Sequence, residues 1–111
     1  FIDFIFEDQG LIYFADWKSD QLLTYVGSDF KAYVEDHYLL QAQLYTLGIV
    51  RWLKLTDEHQ YNQKFGGLYY FFLRAFAQPN ISGEGVYFSR PSWQEVCEYE
   101  HQLNLTLHAN Q

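Results

Sequence analysis

Cysteine is nearly absent: Cys97 stands alone, so no disulfide can form within the chain, and a reducing, cytoplasmic setting is expected. Long apolar runs are absent as well. No stretch reaches the length of about 18 residues that a membrane-spanning helix needs, and no basic-then-apolar leader opens the sequence. Proline is scarce at two residues, and none interrupts residues 37–55. Positive charge is in short supply: 7 Lys and Arg against 14 Asp and Glu leave a net charge of −7 and a pI near 4.8. A free-standing nucleic-acid binder usually needs a basic face, so any DNA-directed role has to answer that deficit. Methionine is missing, and the chain opens directly on "FIDFIF" without a polar lead. The 111 residues therefore read as one domain that is an N-terminally truncated piece of something longer.

What is present is aromatic. Phe, Tyr and Trp make up 21% of a chain that is 49% hydrophobic, enough for one core. "FIDFIFED" (1–8) and "LIYFAD" (11–16) are strand-like segments separated by "QG", a hairpin. Their apolar residues occupy both alternating faces, which predicts a central position in the sheet. Ser28 or Asp29 is the candidate cap of a short helix through "FKAYVED", and a separate helix is expected over 37–55 from the spacing of Leu40, Leu44 and Leu47. "TDEHQYNQK" reads as a loop, "FGGLYYFFLRAF" (65–76) as a buried strand and "VYFSR" as a short strand. Ser92 and Glu95 form a capping box for a last helix to about Leu105. The order β-β-α-β-β-α, with a helix between strands 11–16 and 65–76, predicts that these two strands are parallel. The fold class is α/β with a mixed sheet. "NIS" (80–82) and "NLT" (104–106) match a glycosylation acceptor but are read as chance.

Asp3 is flanked by apolar residues, where an unpaired buried carboxylate would cost on the order of several kcal/mol. A two- or four-residue loop at Gln9-Gly10 places Asp3 opposite Asp16, with Cβ atoms roughly 4.5–5.5 Å apart. A three-residue loop with a bulge shifts the register by one. Lys18 follows on the same side of the strand as Asp16, roughly 6.6 Å further along. Two acids and a lysine thus converge. Carboxylate oxygens suit Mg²⁺, and an ammonium beside such an ion suits the charge that builds on a phosphate under attack, so the set points to metal-assisted phosphodiester hydrolysis.

"FIDFIF", "YFADWKSD", "LLQAQLYTLGIVRWL" and "FGGLYYFFLRA" occur in the order of the G-x-I-D, D-Y-K-S, Q-x-x-x-Y and F-G-G-x-x-Y-x-F-L-R-G motifs. Over roughly residues 1–91 the chain resembles the PD-(D/E)XK nuclease superfamily, and within it the C-terminal nuclease domains of exodeoxyribonuclease V beta subunits. The resemblance implies a restriction-endonuclease-like fold with Asp3 and Asp16 as Mg²⁺ ligands, joined by the Trp17 backbone carbonyl. Lys18 would be the catalytic lysine, and Gln41 and Tyr45 the helix pair flanking metal and DNA.

It further implies a DNA exonuclease or endonuclease tied to an ATP-dependent helicase in double-strand break repair and recombination. DNA and the other subunits would be partners, and ATP would serve only the helicase part outside this chain. The family's metal-binding histidine lies on a helix before the first strand; His37 is no substitute by position. "KSD" replaces the usual "KSN" and adds an acid, Asp20, beside the lysine. The alternative is a catalytically silent module of the same fold that docks a partner subunit through Tyr and Trp of "YNQKF" or "PSWQEV". A missing first helix would leave sheet surface bare, so self-association of the truncated chain is expected.

Overall fold

Gln9 and Gly10 both take left-handed backbone, with φ of 52° and 84°, and this pair of angles reverses the chain in two residues with the twist that flanking strands need. The structure, a computed structural model, describes residues 2–77 and 85–109. On either side of the turn, β1 (Phe4–Asp8) and β2 (Leu11–Lys18) pair antiparallel from Asp8↔Leu11 to Phe4↔Ala15. The next residues along that ladder are Asp3 and Asp16. Asp3 already leaves the regular pattern, its N–H donating to the Ala15 carbonyl at 3.2 Å.

The remaining elements are α1 (Gly27–Trp52), α2 (Glu58–Lys64), β3 (Phe65–Phe72), α3 (Leu73–Phe76), β4 (Val86–Ser89) and α4 (Trp93–Ala109). The sheet order is β1-β2-β3-β4, with β2 and β3 parallel across the α1 crossover and the other pairs antiparallel. The class is the expected mixed α/β, consistent with a restriction-endonuclease-like frame. The hairpin is not wholly central: β1 is an edge of the described sheet and only β2 is interior.

Several elements differ from the expectation, each for a local reason. The two helices expected over 30–36 and 37–55 are one, because no glycine or proline separates them and Phe30, Val34, Leu47 and Val50 bury one continuous stripe. Its N-cap is Val26, without a side-chain cap bond, so Ser28 and Asp29 fall inside the first turn; Asp29 there meets the positive end of the helix dipole. The expected loop 56–64 contains α2, started by Asp57, whose carboxylate accepts from the Gln60 N–H at 2.8 Å. Tyr61 of that helix is fully buried between Phe65 and Trp93, so it and the half-buried Trp93 belong to the core and are not interface anchors. β3 ends at Phe72 because β2 and β4 supply no partners beyond it, and residues 73–76 turn helical. The Ser92–Glu95 capping box forms as read, both bonds at 3.1 Å, and α4 continues past Leu105 to Ala109. "NLT" falls within α4, and "NIS" lies outside the described residues.

The sheet has two unlike faces. Phe14, Leu68, Tyr70 and Phe72 are fully buried against the helices, each such burial worth about 1.5–3 kcal/mol. On the opposite face Phe4, Phe6, Tyr13, Trp17, Tyr69, Phe71 and Phe88 pack on one another, ring centroids 4.8–6.4 Å apart, and among the described residues their ring contacts are all within this set. Gly66 and Gly67 make room for it: a Cβ on Gly66 would stand 2.5 Å from the Tyr13 ring, and one on Gly67 2.5 Å from the Phe88 ring.

Candidate active site

Strand alternation turns Phe14, Asp16 and Lys18 toward α1, and helical spacing puts Tyr38, Gln41 and Tyr45 on the α1 face that receives them. Asp16 is 5% exposed. Its Oδ2 lies 2.9 Å from Lys18 Nζ. The same ammonium donates to Gln41 Oε1 at 2.8 Å, and that oxygen also accepts from the Tyr70 hydroxyl at 2.9 Å. Tyr45 shares a hydrogen bond with Asp16 and meets Phe14 edge-on. Of the residues expected at the site, Asp3, Asp16, Lys18, Gln41 and Tyr45 thus come together, with Trp17 between the last strand residues.

Asp3 is exposed and reaches the cluster from the edge. Its Oδ2 accepts from the Trp17 N–H at 2.7 Å, and its carboxyl hydrogen-bonds that of Asp16. Burial, then the Asp3 carboxyl, raise Asp16 above the ordinary carboxylate range despite Lys18. The bond to Asp16 and then the Trp17 N–H lower Asp3. The two carboxyls are thus driven apart, Asp16 upward and Asp3 downward.

Among the described residues no group of three His, Cys, Asp or Glu could enclose a metal by side chains alone. Two carboxylates in hydrogen-bond contact, one forced toward its neutral form, are nonetheless a donor set whose repulsion a hard divalent cation relieves. Such a set fits Mg²⁺, which keeps several waters, and not a closed zinc site. Asp3 and Asp16 are the carboxylates that would meet it.

His37 lies apart from the cluster, with Nδ1 2.9 Å from the Tyr33 carbonyl and its ring stacked on Tyr33. Asp20, the added acid of "KSD", turns to α1. Tyr33 and Tyr38 donate to its Oδ2 at 2.7 and 2.6 Å, and Tyr38 also reaches Oδ1 at 2.8 Å. Burial works against that carboxylate, but the Tyr38 and Tyr33 hydroxyls outweigh it and hold Asp20 below its ordinary range. Arg74 donates to the Ser19 carbonyl at 2.7 Å, fastening the same loop to α3, directly after β3. Tyr38, Tyr70 and Arg74 were not singled out from the sequence. For Tyr38 the helical spacing to Gln41 was the available signal, whereas Tyr70 and Arg74 depend on the β2–β3 pairing. A cleft of about 700 Å³ between the end of α1 and α4, lined by Arg51, Lys54, Trp93 and His101 among others, contains none of these groups.

A mixed four-stranded sheet with an acid, acid and lysine cluster at the end of its second strand defines the class: an α/β protein consistent with the restriction-endonuclease-like fold. No family model matches the chain. It is nevertheless RecB-related. It is 34% identical over 110 aligned positions to RecBCD enzyme subunit RecB of Borreliella burgdorferi, covering 86% of this chain and 9% of that protein. With RecB of Escherichia coli K12 the identity is 35% over 102 positions, covering 83% of this chain and 8% of that protein. The Haemophilus influenzae RecB gives 32% over 112 positions, with 89% and 8% covered. The chain thus spans less than a tenth of the length of these relatives.

Proposed function

We propose that the chain is the nuclease part of a RecB-type helicase-nuclease, hydrolysing DNA phosphodiesters with Mg²⁺ in double-strand break repair and recombination. The observation that carries this is the contact set in which Asp16 meets Asp3 on one side and Lys18 on the other, the latter at 2.9 Å. When bound, Mg²⁺ would supply an oriented water and positive charge at the phosphate. The chain's own residues do the rest. Asp3, Asp16 and the Trp17 carbonyl would hold the ion. Lys18 places an ammonium beside the phosphate, where it offsets the charge that develops as the bond to the leaving oxygen breaks. Gln41 keeps that ammonium at the strand end, and Tyr45 braces Asp16.

The net charge of −7 is compatible with this role if DNA is delivered by a tethered helicase and its partner subunits rather than attracted by this segment's own field. ATP belongs to that helicase. The setting is cytoplasmic; among the described residues no helix is long and apolar enough to cross a membrane.

The test is Mg²⁺-dependent cleavage of single-stranded DNA by the full-length protein. Asp16→Ala and Lys18→Ala should each abolish cleavage while leaving the protein folded, and cleavage unchanged in both would remove these residues from the reaction. The row of aromatic rings on the sheet face opposite the helices favours a second reading, a silent module docked on a partner subunit. Tight partner binding without Mg²⁺ affinity, measured by calorimetry, would select it.

A further inference from the structure

We propose that Tyr38 is a positioning residue that holds the Lys18 ammonium over the acidic pair, an inference that takes its catalytic meaning from the nuclease reading above. Lysine carries its charge on a flexible four-carbon stem, so a defined ammonium position has to be imposed by its surroundings. Two groups bond it, Asp16 at 2.9 Å and Gln41 at 2.8 Å. Two ring faces complete the enclosure, with Nζ 4.2 Å from the Tyr38 centroid and 4.9 Å from that of Tyr70, both inside the range of cation–π attraction. The Lys18 side chain is accordingly only 11% exposed.

The Tyr38 ring is itself fixed at its far end. Its hydroxyl donates to both Asp20 oxygens, at 2.8 and 2.6 Å, and the second oxygen also takes the Tyr33 hydroxyl at 2.7 Å. Asp20 is two residues beyond Lys18, and its carbonyl is held by the Tyr25 hydroxyl at 2.9 Å. Contacts therefore close a ring: the end of β2 leads to Asp20, Asp20 grips Tyr38, and Tyr38 returns to Lys18. Tyr70 enters from β3, and its ring lies 5.4 Å from that of Tyr38, so the two faces form one wall. The acid that this chain carries at position 20 thus acts on the lysine through a tyrosine and not by direct pairing.

The placement can be read without catalysis. The chain has only four lysines, Lys18, Lys31, Lys54 and Lys64, so ¹³C-lysine labelling resolves the Lys18 ε-methylene by NMR. Its protons should lie upfield of the other three through the ring currents of Tyr38 and Tyr70. Tyr38→Leu should lose more than half of that displacement, whereas Tyr38→Phe and Asp20→Ala, which each keep the ring but remove its anchor, should both reduce it by less than half. In the full-length protein Tyr38→Leu should lower kcat about tenfold, the scale of one desolvated cation–π contact, with KM for DNA unchanged, and Tyr38→Phe should restore most of it. A Lys18 displacement unchanged in both Tyr38→Leu and Asp20→Ala, or a Tyr38→Leu defect confined to KM, would overturn the proposal. A parent protein that binds no Mg²⁺ and cleaves no DNA would instead overturn the nuclease reading, and the NMR displacement would still decide the placement of Lys18.

Discussion

Lys18 and Gln41 are hydrogen-bonded, Nζ to Oε1 at 2.8 Å, across 23 residues of sequence, and this bond joins the end of β2 to the middle of α1. The same oxygen accepts from the fully buried Tyr70, so one amide serves a cation and a phenol brought together by the strand pairing.

Replacing Gln41 with Leu removes that shared acceptor. The Tyr70 hydroxyl is then buried without its acceptor, which should cost about 1–3 kcal/mol of stability. Urea unfolding of Gln41→Leu should show this loss, and cleavage by the full-length protein should fall more steeply than stability does. A variant as stable and as active as the parent would show that the bond is incidental.

Magnesium should stabilise the folded chain. A ligand that binds only the native state contributes about 2.7 kcal/mol at a hundredfold excess over its dissociation constant. Thermal unfolding with and without Mg²⁺ should reveal an upward shift in the parent and none in Asp16→Ala. The same shift in both proteins would place the ion elsewhere.

Asp20 should shape the acid limb of the stability curve. Its native pKa is depressed, because the Tyr38 and Tyr33 hydroxyls overcome the opposing effect of burial, so the unfolded state binds protons more readily. The stability it contributes is fully present above its ordinary pKa of 3.8 and is lost as pH falls through the lower native value. Asp16 has the opposite sign: its raised native pKa means that acidification relieves a cost instead of creating one. Urea midpoints measured from about pH 6 down to about pH 2.5 should therefore fall less steeply in Asp20→Asn than in the parent. Parallel curves would remove Asp20 from the account.

The aromatic sheet face should drive self-association of the 111-residue chain, a second copy covering what no helix among the described residues covers. Trp17 and Phe88 are its most exposed members, at 44% and 47%. Light scattering should show a mass that rises with concentration and drops toward the monomer in the double variant Trp17→Ser, Phe88→Ser. A monomer at every concentration would count against a sticky face.

Much of this architecture is written locally. The hairpin is legible in "QG" between two strand-like segments, but its register was open between a two- or four-residue loop and a bulged three-residue one, because both strand faces are apolar; the left-handed Gln9-Gly10 pair closes a two-residue turn and so sets Asp3 beside Asp16. The capping box at Ser92 and Glu95 is equally local, as both bonds close within one turn. The limits of β3 were not local: Leu73, Ala75 and Phe76 carry on the apolar character of the strand before them, and the strand ends because its partners end. α2 was hidden by its polar surface, with Tyr61 its one buried anchor.

By itself, then, the sequence determined the hairpin, the parallel crossover, the mixed α/β class and the placing of Asp16 and Lys18 on one side of a strand, and it narrowed Asp3 to two registers against Asp16, since turn chemistry, residue alternation and helical spacing act over a few residues. Only the tertiary structure decided what surrounds the lysine. Tyr38 and Gln41 come from α1, Tyr70 from β3, and Asp20 from the loop after β2, and their hydrogen bonds exist only once helix and sheet pack face to face.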